Sequence, residues 1–267
     1  MKNLSLKDHK ILITGVSRPN GIGAAIAKLC AQAGAAVAIH GFPDYDMQMK
    51  YSDASYDFIE NLAKELSENK LNIIPLRPSD LSDVNQPGKI ISEAVNKLGS
   101  LNGLILNHAY SENVSMGNWT AEHIDLHLNI NVRASMLLLQ EFANQVNSNR
   151  GAVTLFTSGQ YLGPMIDEIT YAVSKDAVIG LCKQASVALA TKNIRVNCIN
   201  PGPTDTGYLD GEDYKKVAQM FPSGRWGTPE DAARLVCFLH SDDARWITGQ
   251  IIASEGGFNR YMINLDK

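Results

Sequence analysis

The chain has 267 residues, 45% of them hydrophobic, which is room for one large α/β domain around a buried core and gives no expectation of disorder. A formal net charge of −4 with scattered Lys and Arg supplies no basic field for a phosphate backbone, so nucleic acid is not an expected partner. The start, Met1 to Lys10, has no apolar signal core, and no later stretch offers about 18 uninterrupted apolar residues, so a soluble, cytoplasmic protein without a membrane partner is expected. Cys30, Cys182, Cys198 and Cys237 lack Cys-x-x-Cys spacing and fall in apolar segments, which reads as reduced core cysteines rather than disulfides or zinc ligands.

In chain order, a first apolar strand is expected over Lys10 to Thr14, then a helix over Gly21 to Ala33 and a strand over Ala36 to His40. A polar excursion, Phe42 to Asp53, precedes a helix over Ala54 to Asn69 and a strand over Asn72 to Leu76. Next come a helix over Lys89 to Leu98, a strand over Gly103 to Asn107, a long helix over Ala121 to Ser148 and a strand over Ala152 to Thr157. The remaining elements are a helix over Thr170 to Lys192, a strand over Arg195 to Asn200, an irregular segment from Gly202 to Gly227, a helix over Pro229 to Leu239 and a strand over Gln250 to Ser254. Gly34 and Gly99 suit helix ends, and Thr228-Pro229 followed by Glu230 and Asp231 suits a helix start. The strands are almost continuously apolar, as strands covered on both faces are. Strand and helix alternate, with no composition break that marks a linker. The expectation is therefore an α/β chain, a single-domain doubly wound Rossmann fold over 1–267 with a seven-stranded parallel sheet and helices on both faces. The 202–227 segment, leaving the sheet beside the proposed chemistry, is the candidate lid.

A glycine cluster, Thr14-Gly15-Val16-Ser17-Arg18-Pro19-Asn20-Gly21-Ile22-Gly23, follows the first strand and opens the first helix. Glycines there let the backbone approach a pyrophosphate, and the free N–H groups at the helix start favour its charge. An acid at the tip of the second strand would accept from a ribose 2′-hydroxyl and repel a 2′-phosphate. That tip reads Ile39-His40-Gly41-Phe42, with Gly41 where the acid is expected, while Arg18 stands in the glycine loop. NADP(H) is thus favoured over NAD(H), although Asp44 and Asp46 would oppose this if their loop folds back.

Tyr171 and Lys175 are four residues apart in a helical segment and share a face, with Ser158 thirteen residues upstream of the tyrosine. A lysine beside a phenol draws the tyrosine pKa down towards the working pH, where a general acid is most effective. His123 and His127 are also four apart, but the His-Glu-x-x-His pattern is absent and no metal is expected.

Over nearly its whole length, from Thr14-Gly15 to Ser254-Glu255-Gly256-Gly257, the chain resembles the short-chain dehydrogenase/reductase family, and within it the β-ketoacyl carrier-protein reductase branch most. The resemblance implies a catalytic tetrad of Asn131, Ser158, Tyr171 and Lys175, with Ser158 orienting substrate, Tyr171 as acid/base and Lys175 also holding the nicotinamide ribose. Asn131 would support a water that connects Lys175 to solvent. Cofactor contacts would come from Gly15, Ser17, Arg18, Gly21, Ile22 and Gly23, from Asp80-Leu81, from Asn107 and Ala109, and from Pro201, Gly202 and Thr206. It further implies a small carbonyl or alcohol substrate, with a 3-oxoacyl thioester on a carrier protein among the candidates, and a homotetramer.

Two departures stand out. The glycine loop carries two extra residues, most simply Pro19 and Asn20. The turn after the fourth strand reads Asn107-His108-Ala109-Tyr110 where the family usually has Asn-Asn-Ala-Gly, and Tyr110 either lines the substrate mouth or packs on the sheet. An enoyl reductase of the same superfamily is the nearest alternative, but it resembles Tyr-x6-Lys, and the seventh residue after Tyr171 is Val178. A sensor that binds NADP(H) without chemistry is the alternative from another class.

Overall fold

The computed structural model describes residues 4–146 and 150–259. Seven parallel strands form one sheet: β1 (Lys10–Thr14), β2 (Ala36–His40), β3 (Ile73–Pro75), β4 (Gly103–Leu106), β5 (Gly151–Phe156), β6 (Ile194–Asn200) and β7 (Ile251–Ala253). Their order is β3-β2-β1-β4-β5-β6-β7, so the direction of winding reverses between β1 and β4 and opens a crevice there beyond the strand ends. The expected doubly wound sheet is what the chain forms.

Successive strand residues point to opposite faces, which divides the core in two. Ile11, Ile13, Val37, Ile39 and Ile105 face one layer, with helices α1 (Ile22–Gln32), α3 (Phe58–Glu68) and α9 (Pro229–His240). Leu12, Ala38, Leu104, Leu106 and Val153 face the other, with α4 (Gln86–Leu98), α6 (Ala134–Gln145) and α7 (Ile169–Ala188). Gly99 takes the left-handed conformation that ends α4, φ 80°. At the start of α9 the Asp231 carboxylate accepts from the Thr228 N–H at 2.9 Å. The four cysteines are free and buried.

Three expectations need correction. The polar excursion after β2 is not irregular throughout: it holds a short helix, α2 (Pro43–Gln48), started by Pro43 with Asp44 and Asp46 in its first turn, and α3 begins only at Phe58. The 202–227 segment contains α8 (Gly211–Gln219), whose ion pairs Lys215–Glu212 and Lys216–Asp213 lie one turn apart. The long helix from Ala121 is divided into α5 (Ala121–His127), a π-helical turn (Leu128–Arg133) and α6; its expected end at Ser148 lies outside the described residues.

Candidate active site

The glycine turn is shaped by close approach. Gly15 has φ +74°, and a Cβ there would sit 2.7 Å from the His108 amide nitrogen. A Cβ on Gly23 would come within 2.3 Å of the Gly15 carbonyl oxygen. Asn107 donates from its amide to that same carbonyl at 2.8 Å, tying the end of β4 to the turn. Gly21 caps α1 without a side-chain hydrogen bond among the described residues, so the first N–H groups of the helix face the cleft. A glycine cradle and an uncapped helix start fit a dinucleotide pyrophosphate.

The cleft they open has a volume of about 430 Å³. Of the expected cofactor residues, Gly15, Ser17, Arg18, Gly21, Ile22, Asp80, Leu81, Asn107, Ala109, Tyr171 and Thr206 line it. Gly23, Lys175, Pro201 and Gly202 are not among its lining residues, and the Gly202 N–H donates to the Asn200 side chain at 2.9 Å. Asp80 also caps its own turn, accepting from the Ser82 N–H at 2.8 Å and hydroxyl at 2.7 Å.

Tyr171 and Lys175 lie one turn apart on α7, with the lysine Nζ 5.4 Å from the phenol ring centroid. Lys175 is buried and donates to the Phe156 carbonyl at 3.0 Å; burial lowers its pKa to about 8. The phenol does not behave as the sequence suggested. Burial pushes its pKa well above the ordinary tyrosine value, nearby Glu168 adds to the rise, and a hydrogen bond with Ser158 opposes it. Lys175 is not among the groups that shift it, and Tyr171 keeps its proton at neutral pH. Ser158, just beyond β5, also reaches the Met165 sulfur at 3.9 Å.

Asn131 sits in the π-helical turn, where the extra residue turns its side chain inward. Its Oδ1 accepts from the Tyr110 N–H at 2.7 Å, and its Nδ2 donates to the Tyr110 carbonyl and the Ser174 hydroxyl, each at 2.9 Å. His108 spans the same junction, with Nδ1 2.6 Å from the Thr14 hydroxyl and Nε2 3.1 Å from the Ile130 carbonyl. Burial, with Lys175 adding, lowers its pKa to about 3 and keeps it neutral. Tyr110 lines the cleft and is buried, its hydroxyl donating to Glu112 at 2.6 Å and its ring packed on Tyr45 and edge-on to His127 rather than on a strand. His123 and His127 use a ring nitrogen each on Thr170 and on the His123 carbonyl.

Sequence reasoning missed the role of α2. Tyr45 donates to the Ser111 carbonyl at 3.0 Å, carrying the excursion across to the loop after β4. Asp46 and Tyr51 join the cleft wall. Arg18 is not a free cation: its Nη2 donates to the Thr206 carbonyl at 2.9 Å, and Asp46 and Asp53 pair with it. The two acids noted beyond Gly41 had given the signal, through Asp46.

A family model described as enoyl-(acyl carrier protein) reductase matches residues 15–259. An uncharacterized oxidoreductase of Bacillus subtilis is 38% identical over 261 residues, 96% of this chain and 100% of that protein. A 3-oxoacyl-[acyl-carrier-protein] reductase of Aggregatibacter actinomycetemcomitans is 31% identical over 250 residues, 92% and 98% of the two chains. Among solved structures, a short-chain dehydrogenase/reductase of Serratia marcescens superposes with TM-score 0.84 at 28% identity, covering 95% of this chain and 98% of its own. A short-chain dehydrogenase from Burkholderia cenocepacia in complex with NADP gives TM-score 0.84 at 28% identity, with 94% and 98% covered.

Proposed function

We propose that this chain, which belongs to the short-chain dehydrogenase/reductase family and is an oxidoreductase, interconverts a ketone and a secondary alcohol with Tyr171 as general acid and base. One observation carries the reading: Tyr171 lines the same cleft as the glycine turn, with Lys175 one helical turn behind it. Gly15, Ser17, Gly21, Ile22, Asp80, Leu81, Asn107 and Ala109, with Lys175, Pro201, Gly202 and Thr206, would hold a nicotinamide dinucleotide, which would supply or accept a hydride there. Ser158 holds the carbonyl oxygen, and Tyr171, which keeps its proton at neutral pH, donates that proton to the oxygen in reduction and takes it back in oxidation. Lys175 is the cation behind the phenol. Asn131 is a positioning residue in this reading, because its side chain is spent on Tyr110 and Ser174.

A ketone is favoured over an enoyl substrate by the four-residue step from Tyr171 to Lys175; Val178, seven residues on, is buried and has no proton to give. The carrier-protein reductases among the relatives make a 3-oxoacyl thioester one substrate to try. Arg18 and Gly41 favour NADP(H) as the carrier, and the carboxylates of Asp46 and Asp53 paired with Arg18 weaken that preference. In the same reading the protein is a cytoplasmic homotetramer; among the described residues no helix is long and apolar enough to cross a membrane, and β7 leaves a free sheet edge.

The test is loss of reduced-nicotinamide absorbance with ketones, 3-oxoacyl thioesters and quinones, for the protein and for Tyr171→Phe. The variant should bind the dinucleotide as before and lose about 10²- to 10⁴-fold in turnover. Full activity in Tyr171→Phe contradicts the assignment, and no oxidation with any compound points to the sensor.

A further inference from the structure

In the cleft that Tyr171 also lines, three segments distant in the chain meet on one side chain. Arg18 Nε lies 3.8 Å from Asp46 Oδ1 and Nη1 lies 3.2 Å from Asp53 Oδ1, while Nη2 donates to the Thr206 carbonyl at 2.9 Å. The Tyr51 ring covers one face of the guanidinium, with its centroid 3.7 Å from Cζ. Asp53 also accepts from the Asn20 N–H at 3.1 Å, so the two-residue lengthening of the glycine loop has a structural use: it reaches the second carboxylate. The Arg18 side chain is only 9% accessible, and those of Asp46 and Asp53 are 8% and 14% accessible.

Gly41 explains why acids arrive from so far along the chain. A Cβ there would meet the Val16 carbonyl oxygen at 2.5 Å, so no acid can stand at the tip of β2 without displacing the glycine turn. The excursion over 42–53 brings two carboxylates to Arg18 by another route.

We propose that Asp46 and Asp53 are specificity-determining residues which, by holding Arg18 and outnumbering its charge, shift the chain's cofactor preference away from a 2′-phosphate and towards a 2′-hydroxyl. The inference rests on the dinucleotide reading above. A phosphomonoester carries about −1.5 to −2 charge at neutral pH. To use Arg18 it must enter a site that already pairs one cation with a buried carboxylate, Asp46, and a partly buried one, Asp53, where like charges are less screened than in water. A 2′-hydroxyl makes no such demand. It also has an acceptor to meet, because the Asp46 side chain is part of the cleft wall. Arg18 alone would favour NADP(H); the trio moderates that preference, and the carboxylates are the parts that do so.

Direct titration of the purified protein with NADPH and with NADH, followed by quenching of protein fluorescence, reads this without turnover. Asp46→Asn and Asp53→Asn keep the side-chain shape and remove one negative charge each. Each should raise the ratio Kd(NADH)/Kd(NADPH) by about tenfold, chiefly by tightening NADPH. Arg18→Ala should move the ratio the other way. Circular dichroism checks that each variant folds, and either Asn variant suffices if the other does not. A ratio that moves less than about twofold in every folded Asn variant overturns the inference and leaves the oxidoreductase reading intact. A protein that binds neither dinucleotide overturns both.

Discussion

The surroundings of Tyr171 and those of Arg18 are built on different principles. The proposed reacting groups sit on or beside regular elements: Tyr171 and Lys175 on α7, Ser158 just past β5, Asn131 in the turn between α5 and α6. Around Arg18 the walls are loops and the short helix α2, and a single guanidinium joins the glycine turn, the excursion after β2 and the 202–227 segment through Thr206. Chemistry that needs sub-ångström placement is carried by helix and strand ends, while recognition of a distal substituent is left to segments free to change. The comparison predicts that substitutions among the first groups damage turnover or folding, and that those around Arg18 change which ligand binds.

The sharpest way to break that division is Lys175→Met. The buried lysine has no carboxylate partner in the contacts it makes, so a thioether of similar length should fold. Turnover should fall by roughly 10² to 10³, because a cation fixed behind the proton donor is lost. The pH profile separates this from a packing defect. With the lysine pKa at about 8, kcat/KM of the unmodified protein for ketone reduction should decline above pH 8 as the charge is lost, and the variant's profile should be flat there. A variant that retains the alkaline decline would move the titrating group elsewhere.

Asn131→Ala tests the scaffold around the same groups. It strips partners from the Tyr110 N–H and carbonyl and from the Ser174 hydroxyl in a buried setting. A loss of about 2 kcal/mol is expected, a factor of roughly thirty in the folding equilibrium, measured by urea unfolding. An unchanged midpoint would mean that water replaces the amide and that the clamp on Tyr110 contributes little.

The same contrast decides what could be read from residues alone. Ile11 to Ile13, Leu104 to Leu106 and Val153 to Leu155 are apolar runs of strand length, and their period places each strand without tertiary information. Gly15 and Gly23 are required by backbone approach, and Tyr171 and Lys175 share a helix by their spacing, so the placement of Tyr171 in one cleft with the glycine turn was legible. The surroundings of Arg18 are held by polar contacts across 33, 66 and 188 residues, from Asn20 to Asp53, Tyr45 to Ser111 and Arg18 to Thr206. Hydrophobic periodicity says nothing about such contacts, and charges noted one by one, Arg18 as a phosphate ligand and Asp46 as its opponent, show their pairing only in three dimensions. The π-helical turn was hidden for another reason: one extra residue within a helix leaves composition and apolar spacing almost unchanged. Burial likewise reversed the direction expected for Tyr171, since a neighbouring lysine is visible in sequence and the desolvation around a phenol is not.

The smallest effect concerns two neutral histidines of the cleft wall. His40, at the tip of β2, is 3.0 Å from the Ser79 hydroxyl and has its pKa lowered to about 4 by burial; His108, in the turn after β4, is lowered to about 3. Above pH 6.5 folded and unfolded chains both hold neutral rings, and neither histidine costs stability. Below it the unfolded chain takes up a proton that the folded chain refuses, so stability falls with acidification until the pH nears the folded value. Each such histidine contributes a slope of about 1.4 kcal/mol per pH unit, tenfold in the folding equilibrium. His108→Asn, which restores the residue usual at this turn in the resembled family, should lessen the acid slope between pH 6 and pH 4 by that one proton, and His40→Asn should do so only down to about pH 4. Urea midpoints carried on from pH 4 to pH 3 distinguish the two. If the slope of His108→Asn equals that of the unmodified protein, the ring between Thr14 and Ile130 accepts its proton in the folded chain, and the junction under Lys175 is more open to water than its contacts imply.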